Sequence, residues 1–177
     1  MKSTALAISL FLGSVLAVPL EIDAEKRQNC PSIHIFGARE TTASAGYGSS
    51  STVVNEVLSA YSGSTAEAIV YPACGGQSSC GSISYSSSVT EGIQAVASAV
   101  NSFNSQCPQA KIVLVGYSQF DERPVGFNCP SANKIQSYCD ASDPYCCNGS
   151  NAATHQGYGA EYGAQALTFI KNKLSAS

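Results

Sequence analysis

Ser118 stands in Gly116-Tyr117-Ser118-Gln119, directly after the apolar run Ile112-Val113-Leu114-Val115, the order in which a strand hands a nucleophilic serine to a sharp turn. A serine hydroxyl attacks a carbonyl efficiently only when a histidine accepts its proton, and that imidazole needs a carboxylate to hold its tautomer and offset its charge. The chain has 2 histidines. His34 lies inside the β-like run Ser32 to Phe36, upstream of every other candidate, where a structural role is expected. His155 falls in a glycine-bounded stretch read as a loop ahead of the last helix, and it completes the chain order Ser, Asp, His. Asp143 is the favoured carboxylate because Cys139 and Cys146 bracket it, and a bridge there would stiffen its loop. Asp140 is its rival, and the Asp143-Pro144 pair also suits an ordinary turn.

An ester carbonyl under attack develops an oxyanion, which needs hydrogen-bond donors already in place. The backbone N–H of Gln119, next after the serine, is one candidate. Thr41, in the loop after the first strand, offers a second N–H and a hydroxyl, although a plain loop or capping role is an equally good reading of it. The motif departs from G-x-S-x-G at Phe120, which replaces the second glycine. Beyond it, Phe120-Asp121-Glu122-Arg123-Pro124 lacks helical spacing, and Pro124 would break a helix that had just begun.

The elements that must position these groups alternate. Ser32–Phe36 reads as a strand ending at Gly37. Val53, Val54, Val57, Leu58 and Tyr61 recur at helical spacing up to Gly63. Ala68–Tyr71 reads as a second strand cut off by Pro72. Ser87 or Ser88 is expected to cap a helix with Val89, Ile93, Val96, Val100 and Phe103 on one face. Lys111 to Val115 is the third strand. This order predicts an α/β fold, a parallel sheet covered by helices. The alternation lapses after Ser118, where only Lys134–Tyr138 suggests a further strand. A closing helix carries Tyr158, Tyr162, Phe169, Ile170 and Leu174 on one stripe.

With 177 residues, 44% of them apolar and 12% charged, the chain suits one globular domain, and a net charge of −3 gives no reason to expect nucleic acid as partner. Lys2 followed by the apolar stretch Ala5–Leu16 and the small Ala17 reads as a signal peptide over residues 1–17, too short to span a bilayer. Residues 18–27, closed by Lys26-Arg27, read as a propeptide, which leaves 28–177 as the domain; Lys26-Arg27 as a plain charged pair is the alternative. All 8 cysteines follow, and an even set in an exported chain reads as a disulfide framework. Cys74 and Cys80 are spaced to close a loop, whereas the cysteine spacings do not match zinc sites, so no metal is expected. Asn148-Gly149-Ser150 is an N-glycosylation sequon.

Four segments together resemble the fungal acetylxylan esterases of the cutinase-like family: Gly37-Ala38-Arg39-Glu40-Thr41-Thr42, Tyr71-Pro72-Ala73-Cys74-Gly75-Gly76-Gln77, Gly116-Tyr117-Ser118-Gln119, and Tyr138 through Cys147. The resemblance implies a three-layer α/β-hydrolase with Ser118 as nucleophile, His155 as base and Asp143 as orienting acid. It also implies an oxyanion hole from Thr41 and Gln119, and an acyl pocket that Tyr145 narrows to acetate. By the same resemblance Cys30 pairs with Cys107, Cys74 with Cys80 and Cys139 with Cys146, leaving Cys129 and Cys147 to pair with each other or stay as thiols. Family members carry a further block of helices and a strand where this chain passes from Gln119 to Phe120, so the domain is expected to be incomplete. Uncovering one face of the sheet is expected to cost stability and activity.

The resulting expectation is a secreted, monomeric serine esterase that needs no cofactor, acts on acetylated plant polysaccharide or small esters, and binds neither nucleic acid nor membrane. Three alternatives stand beside it: a cutinase-type esterase for longer acyl chains, a non-catalytic secreted protein binding xylan through Tyr47, Tyr71, Tyr85 and Tyr145, and a mis-spliced product.

Overall fold

The computed structural model describes residues 30–118 and 132–176. Strand β1 (Ile33–Ala38) is buried along its whole length, which suits a central strand covered on both faces. It pairs in parallel with β2 (Thr65–Ala68) on one side and β3 (Lys111–Gly116) on the other, giving the order β2-β1-β3. Between them run helices α1 (Ser51–Ala60) and α2 (Tyr85–Gln106), and α3 (Ala152–Ser175) closes the chain.

Alternation along β1 divides the core into two. Ile33 and Ile35 face Val54 and Val57 of α1, Val113 of β3, and the α3 side chains Leu167, Ile170 and Leu174. Phe36 and Ala38 face the opposite way, toward Val96, Val100 and Phe103 of α2. The result is three layers, with α1 and α3 on one side of the sheet and α2 on the other. His34 shares the α2 face, with its ring stacked on Phe103 at 4.0 Å and its Nδ1 2.7 Å from the Thr65 hydroxyl.

Several expected boundaries move. The second strand is Thr65–Ala68 rather than Ala68–Tyr71, although Ile69 still donates its N–H to Gly37 O at 2.9 Å. Val70 and Tyr71 read as strand because they are β-formers, but Arg39 claims the carbonyls of Ile69 and Tyr71 that would continue a ladder. Helix α2 starts earlier than expected: Ser84, not Ser87 or Ser88, is the cap, and its hydroxyl accepts the Ser87 N–H at 3.1 Å. Ser88 is instead fully buried and bonds the Cys74 N–H at 2.9 Å. Ile93, expected on the buried face of α2, is exposed. No strand forms at Lys134–Tyr138, where a short 3-10 turn, Ala132–Lys134, precedes irregular chain.

The chain leaves β1 for β2 on one side and later returns to β3 on the other, so the C-terminal ends of β1 and β3 flank the point where connections diverge. In open α/β sheets ligands bind at that crevice. A hollow of about 230 Å³ lies at the opposite ends of the strands, lined by Ser32, Ile33, Tyr61, Lys111, Leu174 and Ser175. Its ammonium is taken up by Leu174 O at 2.6 Å, and no nucleophile–base pair lines it. The last strand among the described residues has an open face: Leu114, in register with buried Phe36, is 58% exposed.

Phe36→Ala is expected to lower the unfolding free energy by about 3–5 kcal/mol, whereas Leu114→Thr changes it by about 0.5 kcal/mol or less, both read from urea titrations by circular dichroism. Burial lowers the His34 imidazole below its ordinary 6.5, with Glu67 opposing. The folded chain therefore binds that proton less readily than the unfolded one, so the stability linked to neutral His34 is whole above 6.5 and is lost as pH falls through the lowered value. Urea midpoints of the wild type and His34→Phe are expected to diverge in their pH slope below about pH 6.5.

Candidate active site

Ser118 follows β3 by two residues and sits at φ +59°, the left-handed region that non-glycine residues avoid. Strain of this kind is what a strand-to-helix elbow imposes on a nucleophile. Its hydroxyl donates to Nε2 of His155 at 2.8 Å. Nδ1–H of the same ring donates to Oδ2 of Asp143 at 2.7 Å. The expected serine, histidine and aspartate are thus joined in one hydrogen-bonded chain across the shortened connection.

The local structure explains how. Asn151 caps α3 by accepting the Ala153 N–H at 3.1 Å, which places His155 in the first turn of the helix rather than in the loop expected for it. Gly157, which with Gly149 bounds that stretch, lies inside α3, and two further glycines follow it in the helix. A Cβ on Gly159 would come within 2.9 Å of the Thr52 hydroxyl, and one on Gly163 within 3.0 Å of the Glu56 carboxylate, so the glycine face of α3 lets α1 approach closely. Tyr117, one residue before the serine, donates its hydroxyl to the His155 carbonyl and ties β3 to the start of α3.

Asp143 is fully buried, so its charge must be met by donors. The Tyr145 N–H reaches Oδ1 at 2.7 Å, and the Tyr158 hydroxyl reaches Oδ2 at 2.9 Å beside His155. Burial pushes the Asp143 carboxyl up, but the hydrogen bonds from Tyr145, His155 and Tyr158, with the charge of His155, bring it below its ordinary value. Asp140, the rival, lies elsewhere in the network: its carboxylate accepts the Tyr162 hydroxyl at 2.5 Å and its N–H donates to the Tyr158 oxygen at 2.8 Å. Burial first, and then the two aspartates, push the Tyr158 hydroxyl up to about 12, with the Asp140 N–H opposing, so it remains a donor. In the sequence Tyr158 stands out only as part of an apolar stripe. Its position three residues after His155, on the same helical face, was the available signal.

Tyr145 lies with its ring 4.6 Å from that of His155 and is 62% exposed. Thr41 is half-buried in the loop after β1, with its methyl group against Gly75. Arg39 and Glu40 hold that loop. Buried Arg39 donates to the carbonyls of Ala43, Ile69, Tyr71 and Pro72, and Glu40 accepts the Ser49 N–H and hydroxyl at 2.8 and 2.9 Å. The sequence pattern alone marks neither residue for this role. Of the four tyrosines considered as a carbohydrate surface, Tyr71 is buried against Arg39 and Tyr47 packs on the core, leaving Tyr85 and Tyr145 exposed. The disulfides are Cys30–Cys107, Cys74–Cys80 and Cys139–Cys146, and Cys147 is a free, exposed thiol. Gln119, Phe120, Cys129 and the segments 1–17 and 18–27 lie outside the described residues.

A parallel α/β sheet that ends in a strained serine bonded to histidine and buried aspartate defines a serine hydrolase. The cutinase family profile matches residues 29–122 and 120–174, and the chain belongs to the cutinase family. It is 57% identical to acetylxylan esterase 2 of Talaromyces purpureogenus, over 98% of this chain and 100% of that protein. It is 49% identical to cutinase 11 of Verticillium dahliae, over 85% of this chain and 72% of that protein. A crystallographic acetylxylan esterase at 0.90 Å superposes with a TM-score of 0.78 at 60% identity, covering 82% of this chain and 99% of that one. These relatives make the chain a serine carboxylesterase. The alignment with the Talaromyces protein spans 234 positions against 177 residues here, and the family profile breaks at 120–122, so the relatives carry an internal block that this chain lacks.

Tyr158→Phe leaves the Asp143 carboxylate one donor short and the Asp140 N–H without its acceptor. It is expected to cost about 1–3 kcal/mol of stability in urea titrations, and Tyr162→Phe less, because its partner is not buried.

Proposed function

We propose that the chain removes acetyl groups from acetylated xylan, with Ser118 as nucleophile, His155 as general base and acid, and Asp143 as the group that fixes the imidazole. The hydrogen-bonded line from the Ser118 hydroxyl through His155 to buried Asp143 carries this reading. His155 Nε2 takes the serine proton as Oγ adds to the acetyl carbonyl. The Asp143 carboxylate then faces the imidazolium that forms, which is where its negative charge lowers the barrier. The oxyanion is assigned to the N–H of Gln119 and to Thr41, and the collapsing intermediate expels the sugar hydroxyl with the proton from His155. Water, activated by the same ring, releases acetate.

Acetate specificity is assigned to Tyr145, whose ring stands beside the base. Similarity to acetylxylan esterases along nearly the whole chain supports the xylan substrate. The 49% identity to a cutinase keeps longer acyl esters as the second reading. Three disulfides, the leader read over residues 1–17, the propeptide over 18–27 and the exposed sequon at Asn148 support a secreted extracellular protein. No helix among the described residues is long and apolar enough to cross a membrane.

Hydrolysis of a chromogenic acetate ester is expected from the purified chain, at a rate below that of relatives that keep the internal block, and abolished by Ser118→Ala. Asp143→Asn is expected to lower kcat by about 10⁴ through loss of the required tautomer. A rate indifferent to Ser118→Ala would overturn the reading. Tyr145→Ala is expected to raise butyrate hydrolysis relative to acetate; an unchanged ratio removes Tyr145 from acyl selection.

A further inference from the structure

Three sulfur atoms crowd beside the loop that carries Asp143. Cys139 and Cys146 are bonded to each other, Cys147 is a thiol, and its Sγ lies 3.1 Å from that of Cys139. All three sulfurs fall within 4.8 Å of one another. Two of them already share a bond, so the group does not present three thiolates to a cation. A thiol held against a disulfide is instead the arrangement from which exchange proceeds.

Two further observations favour exchange. Cys139 and Cys147 are exposed, so the attacking and attacked atoms are open to solvent and base. The existing bridge has a sequence separation of 7, and a bridge from Cys139 to Cys147 would have 8. Loop-closure entropy depends on the logarithm of that length, so chain entropy barely distinguishes the two bridges.

We propose that Cys139, Cys146 and Cys147 form a thiol–disulfide exchange site in which the bridge migrates between Cys139–Cys146 and Cys139–Cys147. The Cys147 thiolate attacks Sγ of Cys139. The Cys139–Cys147 bond forms as the Cys139–Cys146 bond breaks, and the electron pair leaves on Cys146. That sulfur takes up a proton from solvent, replacing the one Cys147 released, and one disulfide and one thiol remain, so no oxidant or reductant is consumed. The step touches the esterase site: Cys146 Sγ lies 3.3 Å from the Tyr158 hydroxyl, and the Cys147 N–H donates to Asp143 O at 3.1 Å. Migration moves the staple by one residue within the loop that presents Asp143 and Tyr145. The inference stands on the sulfur geometry alone and is independent of ester hydrolysis.

The full chain, purified without reductant, is held at about pH 8 or at about pH 4, where thiolate is scarce. Both samples are then labelled with N-ethylmaleimide, reduced, treated with iodoacetamide and sequenced by tandem mass spectrometry. The maleimide is expected on Cys146 as well as on Cys147, with the Cys146 label several-fold higher after the alkaline hold and absent in Cys147→Ser. Maleimide confined to Cys147 overturns the proposal, as does a Cys147 blocked by a bridge to Cys129. Label on Cys146 that persists in Cys147→Ser also overturns it, because simple reduction would then account for the free thiol.

Discussion

A carboxylate removed from water is the constraint around which this site is built. Asp143 is fully buried, and an unmet charge there would cost more than the domain could bear. Its two oxygens are met by a backbone N–H, an imidazole N–H and a phenol. Two of those donors, His155 and Tyr158, come from one turn of α3 and converge on the same oxygen. The carboxylate that holds the His155 ring is therefore itself held by the helix that carries His155. This reciprocity explains how the site survives with a short connection after Ser118, since Asp143, His155 and Tyr158 form a unit that needs only β3 to bring the serine to it.

Much of this was legible in the residues. Ser118, His155 and Asp143 could be picked out because acyl chemistry needs those three types, and the strand before Ser118 announced itself by its apolar run. The helices were legible through their periodicity, but their ends were not. Ser84 as cap was hidden among the serines at 84, 86, 87 and 88, any of which has the right chemistry. Val70 and Tyr71 look like strand residues until Arg39, distant in sequence, takes the neighbouring carbonyls. His155 reads as a loop residue because Gly149 and Gly157 flank it and glycines usually mark turns, whereas the Asn151 cap starts α3 before it. For the strand a tertiary contact outweighed a local preference, and a local pattern carries no record of its tertiary partners; for the helix starts the choice lay among several residues of equal local merit.

Burial changes sharply across the pair of strands β1 and β3. Phe36 and Leu114 are register partners on one face of the sheet, yet Phe36 is 1% exposed and Leu114 58%. Burial thus falls away within one strand spacing. Full burial is confined to the central strand β1, while β2 alternates exposed and half-buried residues. The open face and the site therefore meet at a single strand, β3, which carries exposed Leu114 and leads directly to Ser118.

Gly159 and Gly163 have a mechanical consequence. By admitting Thr52 and Glu56 to within contact of the α3 backbone, they determine how far that helix stands from α1. His155 rides on α3 one turn before the first of these contacts, so the interaxial distance acts as a ruler for the depth of the imidazole. A methyl group added at Gly159 would press on the short Thr52 side chain, at a seam that touches no atom of Ser118, His155 or Asp143, whereas at Gly163 the flexible end of Glu56 can give way.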